Sequence, residues 1–374
     1  MTSNLQTLKM PCFLAKPVEA ELFRDKPCIN HPLQTSRSEV YRLLDIEVPQ
    51  REYLRLELTQ DFGETLKIYV TRFEPRSDDK TAHPWKDKQG RSRSMEMPPY
   101  CIARMGDARN NMLQYIDNFR GSFLSSFLRG SNEITGDIFD EARRHSAFNP
   151  TCTVRKSLDL FAANRIIERD WRICGVETLG MGVVDDPENP WFEKIPVTPI
   201  MDLQLDQIVI QSFLKPLRDS LLQELQVKIY EARKENWFEI FLTISILLTN
   251  AERLLQHSRN NAKRYGVRRR YNSLDLAYSY FHACKILIAH FRFVCAGFVP
   301  LSLNWRSQKA STMANLDADQ TRFMENIQTK IKQKEEYVLG LKANHKYESE
   351  LYWCHQLFFE KWDPGKPWIE DESE

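Results

Sequence analysis

From residue 53 apolar and polar side chains alternate: Tyr53-Leu54-Arg55-Leu56-Glu57-Leu58, then TQDFGET, then Leu66-Lys67-Ile68-Tyr69-Val70-Thr71-Arg72-Phe73. Two period-two runs about a glycine-containing break predict a β-hairpin, closed by Pro75 and Asp78-Asp79. Residues 85–99, WKDKQGRSRSMEMPP, are polar and basic and end in two prolines, which predicts a linker or exposed loop. Beyond Tyr100 the period lengthens. Met112, Ile116, Phe119, Phe123 and Phe127 recur at spacings of three and four, as an amphipathic helix requires. Leu158, Phe161, Ala162, Arg165 and Ile166 predict a second helix ending before Gly175. A loop rich in glycine and proline follows, from Gly175 to Pro199.

The strongest pattern comes next. Leu205, Val209, Phe213, Leu217, Leu221 and Leu225 form one stripe interrupted by Pro216, so a kink or two joined helices are expected there. Trp237 to about Gly266 reads as a helix whose first half is apolar on all sides and central to the core. Leu274–Gly297 and about Leu316–Leu341 read as further helices, and Tyr347–Trp362 closes the domain before an acidic IEDESE tail. The fold class is therefore mainly α. A small hairpin-containing N-terminal segment with its polar linker (1–99) precedes a large helical domain (100–374).

Composition narrows the functional classes. The 52 Lys+Arg against 51 Asp+Glu give a net charge of +1, too balanced for a bulk polyanion binder. The 42% hydrophobic and 11% aromatic content is globular. Eight cysteines are scattered without framework spacing, which fits reduced thiols. Without a signal-peptide pattern or an apolar run of bilayer length, a soluble intracellular protein with no membrane association is expected.

Candidate chemistry is sparse. Cys12, Cys28 and His31 are one ligand short of a tetrahedral zinc set. His282-Ala283-Cys284 and Cys354-His355 place thiol near imidazole in sequence, but helix neighbours point about 100° apart, so adjacency makes no nucleophile–base pair. Asp185, Asp186 and Glu188 form an acidic loop that a divalent cation would need to share with other oxygen ligands. Neither a P-loop, a dinucleotide fingerprint nor a GxSxG elbow is present. No catalytic or metal residue is assigned. The sharpest charge feature is KRYGVRRRY, with Lys263, Arg264, Arg268, Arg269 and Arg270 after a helix C-terminus. It reads as a nuclear-import signal, a phosphate-contacting patch or a solvated loop. Lys86, Lys88, Arg91 and Arg93 form a weaker basic stretch. The aromatics Trp237, Phe238, Phe241, Tyr280, Phe281, Phe291 and Phe293 could pack the core or enclose a small ligand.

WRICGVETLGM (171–181), IPVTPIMDLQLDQIVIQSFLKPLRDSLL (195–222), NWFEIFLTISILLTNAE (236–252), YFHACK (280–285) and LYWCHQLFFEKW (351–362) stand in this order. With MPCFLAKPVEAELFR (10–24), TQDFGETLKIYVTRFEP (59–75) and MPPYCIA (97–103), they resemble the C-terminal regulatory region of fungal binuclear zinc-cluster (Zn(2)-C6 type) transcription factors. In that family a six-cysteine DNA-binding module precedes the region. Only Cys12 and Cys28 lie in residues 1–40, short of the six thiolates such a cluster needs.

The resemblance thus implies a nuclear regulator working through helical surfaces, with cytoplasm as the alternative location. Its expected partners are the transcriptional machinery or a cluster-bearing relative, with which a copy lacking the cluster would compete in dimers. Direct DNA binding by these residues and a cofactor are not expected, and zinc would return only with an upstream cluster. Two other readings stay open: a small-molecule-sensing helical domain, and an enzyme using Arg172 and the Asp185-Asp186 loop.

Overall fold

The computed structural model describes residues 15–24, 53–77, 79–360 and 362. Cys12, Cys28 and His31 lie outside these residues. The expected hairpin is present: β1 (Leu54–Thr59) pairs antiparallel with β2 (Leu66–Arg72), Leu56 opposite Ile68. Leu56, Leu58, Leu66, Ile68 and Val70 are buried, while Lys67 and Arg72 face solvent. Gly63 turns the chain between them at φ +73°, a conformation that costs glycine little.

The segment expected as a linker is instead a second hairpin. Here β3 (Ala82–Lys86) pairs with β4 (Ser92–Glu96). The Asp87 carboxylate caps its turn, accepting from the backbone N–H of Gln89 (3.1 Å) and Arg91 (2.8 Å) and from the Arg91 Nε (2.7 Å). No apolar alternation announces this ribbon, because β4 lies on the surface with nearly all its residues exposed. Strands β5 (Tyr100–Ile102), β6 (Arg172–Ile173) and β7 (Ile195–Pro196) complete a small curled sheet ordered β5-β2-β1-β6-β7. The sheet therefore takes strands from both sides of residue 99.

The rest is mainly α-helical. Helices α1 (Met105–Gly130), α2 (Glu133–Phe148) and α3 (Thr153–Ile166) follow the hairpins. Helix α2 was not anticipated. Its start is fixed by Asn132, whose side-chain oxygen accepts from the N–H of Ile134 and Thr135, each at 3.0 Å. Helix α4 (Pro199–Val209) runs through a π-helical turn (Ile210–Leu214) into α5 (Lys215–Glu231). This is how the chain accommodates Pro216: the widened turn lies just before a residue with no N–H to donate. Helix α6 (Trp237–Arg264) is central, packing on α2, α3 and α7 (Leu274–Val294). Helices α8 (Gln308–Met313), α9 (Ala318–Gln333) and α10 (Glu335–Ala343) follow, the last two separated at Lys334.

Three polar side chains of α6, Glu239, Asn250 and Glu252, each hold a neighbouring segment. Glu239 accepts from the Thr153 N–H and hydroxyl, both at 2.8 Å, and from Lys228 at 3.0 Å. Asn250 donates to the Leu22 carbonyl (2.8 Å) and accepts from Asn164 (3.0 Å), which also donates to Leu22. An N-terminal strap around Phe23 is thereby fixed across the helices. Glu252 accepts from the backbone N–H of Leu351, Trp353 and Cys354 at 3.1, 2.7 and 3.2 Å, pinning the closing turn. The buried carboxylates and the Asn250 amide are tolerated here because their hydrogen bonds are made, while Asn164 Oδ1 has no hydrogen-bond partner among the described residues.

Candidate functional site

The aromatic candidates divide by position. Trp237, Phe238, Phe241 and Phe291 are buried in one packed group, Trp237 stacked on Phe241 at 5.6 Å and Phe241 edge-on to Phe358 at 5.7 Å. Phe281 packs against Tyr347 at 4.9 Å, and Phe293 is exposed. Tyr280 lines a cavity.

That cavity, about 80 Å³, lies where five segments converge. The strap supplies Arg24, and the end of α3 supplies Ile167, Glu168, Arg169 and Asp170. Helix α4 presents Asp202 and Asp206 one turn apart. The last turns of α6 give Leu254, His257, Ser258, Asn261 and Arg264, and the start of α7 gives Leu276 and Tyr280.

Its ionic groups are nearly, but not fully, matched. Arg24 pairs with Asp206 and donates to the Ile167 carbonyl at 2.8 Å. Arg264 pairs with Asp170 at 2.9 Å, and Arg165 with Glu168 at 3.2 Å. Among the described residues none donates a hydrogen bond to, or forms an ion pair with, the Asp202 carboxyl. Burial and the neighbouring Asp206 push that carboxyl well above the usual carboxylate range. Glu168 is 8% exposed, its Oε1 has no hydrogen-bond partner, and burial pushes its carboxyl up to about 7.

The sign of that shift sets a pH dependence. A carboxyl raised in the folded state contributes stability that is full below about 4.5 and is lost as pH rises through about 7. Raising pH from 6 to 8.5 is expected to remove about 1 kcal/mol of this contribution. Glu252, pushed by burial up to about 8, adds in the same direction. Urea titrations at the two pH values check this: the wild-type midpoint falls, and Glu168→Gln reduces the fall.

The basic candidates are not equivalent. Arg264 also lies over the Trp191 ring at 5.6 Å, and Arg270 donates to the His345 carbonyl (2.6 Å) and Glu348 (2.9 Å). Both are held in the fold. Lys263, Arg268 and Arg269 are exposed and make no hydrogen bond or ion pair with a described residue. Gly266 abuts Lys86, where an added Cβ would come within 3.0 Å of Lys86 Cδ. Two basic stretches nearly 180 residues apart in sequence thus meet at one surface, while Arg91 and Arg93 pair with Asp87.

The remaining candidates build no reactive centre among the described residues. Cys284 and Cys354 are buried and their thiols are pushed up by desolvation, which disfavours the thiolate. Burial lowers His355 to about 4, and His282 is exposed. Arg172 in β6 pairs with Asp61 of the turn between β1 and β2. Asp186 turns its own loop by accepting from the Glu188 N–H at 2.9 Å. No group of three or more His, Cys, Asp or Glu among the described residues is placed to hold a metal ion. None of their helices is long and apolar enough to cross a membrane.

A family model described as "KpeA transcription factor" matches residues 23–357. The chain belongs to the KpeA transcription factor family. A curated relative, the satratoxin biosynthesis SC3 cluster transcription factor SAT20 of Stachybotrys chartarum, is 25% identical over 291 residues. That alignment covers 74% of this chain and 40% of the relative, so the KpeA-family chain spans well under two thirds of the relative's length. No solved structure matches. The family is one of transcription factors rather than a known enzyme family, in line with the resemblance to fungal regulators.

Proposed function

We propose that this chain is the regulatory region of a fungal transcriptional regulator of the zinc-cluster type, and that it acts in the nucleus through protein contacts rather than by reading DNA or by catalysis. Its partners are the transcriptional machinery or a related transcription factor that carries the cluster. The observation that carries this reading is the family match over residues 23–357. The relative's name supports genes of a biosynthetic cluster as the target class. Import is assigned to Lys263, Arg268 and Arg269, the members of the basic loop that the fold leaves in solvent.

Deleting the gene and profiling transcripts tests the regulation: a defined gene set should change several-fold, and an unchanged profile would sink the reading. In the same strain background, a tagged Lys263→Ala/Arg268→Ala/Arg269→Ala variant is expected to lose most of its nuclear accumulation at unchanged protein level. Full nuclear retention would remove the import role from this loop.

A further inference from the structure

We propose that the cavity between the strap, α4, α6 and α7 is a binding site for a small organic ammonium ligand, whose positive nitrogen pairs with Asp202. The first ground is a charge mismatch in the wall. Each other carboxylate of the wall has a guanidinium: Asp206 has Arg24, Asp170 has Arg264 and Glu168 has Arg165. Arg169, the remaining cation of the wall, lies over the Phe62 ring at 5.3 Å. Asp202 is left with no donor among the described residues. Asp202 is partly exposed, and like charges one turn apart on a helix disfavour each other, so the Asp202–Asp206 pair is costly without a second compensating cation.

The second ground is Glu168. It lines the same cavity at 8% exposure and keeps an oxygen without a hydrogen-bond partner. Two carboxyl groups of one small cavity are thus under-satisfied, and both lack donors rather than acceptors. Among the described residues the partner missing from both is a hydrogen-bond donor, and at Asp202 a positively charged one.

The rest of the wall says what kind of cation fits. No three His, Cys, Asp or Glu side chains among the described residues converge for a metal ion. Ser258 and the Asn261 amide, which donates to His257 at 2.9 Å and so keeps its oxygen as an acceptor, offer hydrogen bonds across from Asp202. Ile167, Leu254, Leu276 and the Tyr280 ring give an apolar floor. A primary amine on a short carbon skeleton, carrying a second polar group, matches this lining. The inference deepens the regulatory reading by giving the region a small-molecule input. Binding is read on purified protein and transcription in the cell, so either can fail alone.

The test is a thermal-shift and calorimetric titration of the purified full chain with putrescine, ethanolamine and, as the neutral counterpart, 1,4-butanediol, with sodium chloride at matched ionic strength. A saturable rise in Tm with at least one amine is expected, since a ligand bound only by the folded state stabilises it. The diol and sodium chloride should not reproduce it. Asp202→Asn should weaken amine binding at least tenfold while its unliganded Tm stays at or above wild type, because an unpaired charge is removed. Leu276→Trp, which fills the cavity from its partly exposed wall, should lose binding independently. Absence of saturable binding by either amine, an equal response to the diol or to salt, or unchanged affinity in both variants would overturn the proposal.

Discussion

Replacing Glu252 by alanine is expected to destabilise the fold by about 3–5 kcal/mol. Its two carboxylate oxygens accept from three backbone N–H groups of the closing turn, at Leu351, Trp353 and Cys354. Truncation leaves all three donors buried and unpaired, and each such orphan costs about 1–3 kcal/mol before relaxation. The turn carries Trp353, Leu357 and Phe358, all buried against the helices, so it cannot swing into water to recover those bonds without exposing them. Glu252→Gln keeps one acceptor oxygen and should fall between wild type and alanine. Urea unfolding gives the magnitude, and hydrogen exchange at the amides of residues 351, 353 and 354 gives the location. An alanine variant within about 0.5 kcal/mol of wild type would mean that the turn is not held by this side chain.

Phe241→Ala is expected to cost about 3–5 kcal/mol, the usual range for removing a fully buried phenyl ring. The ring is in contact with Trp237, Phe238, Phe291 and Phe358 at centroid separations of 5.6, 6.4, 6.0 and 5.7 Å. Its removal opens a hole walled by rings too large to collapse into it. Phe241→Leu should recover much of the loss, because it refills most of the volume. The pair of variants also separates two roles for this aromatic group. A core position loses stability on truncation. A ligand-facing position would keep its melting temperature and change only its binding, which a titration of both variants reports.

Legibility followed the regularity of the burial pattern. The β1–β2 hairpin was readable because one face of each strand is buried, so Leu56, Leu58, Ile68 and Val70 fall on alternate positions. Helices α1 and α6 were readable because long runs at one period leave no competing assignment. The β3–β4 ribbon was not, since a strand exposed on both faces, such as Ser92–Glu96, has no apolar period to reveal it. Pro216 announced a disturbance, but the choice of a π-turn over a kink depends on what packs around it. The cavity was the least legible feature. Its ionic wall joins Arg24, Glu168–Asp170 and α4, segments whose proximity no local pattern encodes. One signal was present: Asp202 and Asp206 stand four apart in PIMDLQLDQIV, two carboxylates in a helix whose other polar residues are the amides Gln204 and Gln207. The basic surface shows the same limit, because Lys86 and Gly266 meet only through the tertiary fold.

Arg264 ends α6 in a position that three parts of the molecule use at once. Its guanidinium pairs with Asp170, lies over Trp191 from the loop that follows β6, and forms part of the cavity wall. A lysine there would keep the charge but lose the planar fork and the stacking. A neutral residue would leave the exposed Asp170 to solvent alone. Exchange at this position therefore disturbs all three contacts together, unlike exchange of an arginine that touches one neighbour.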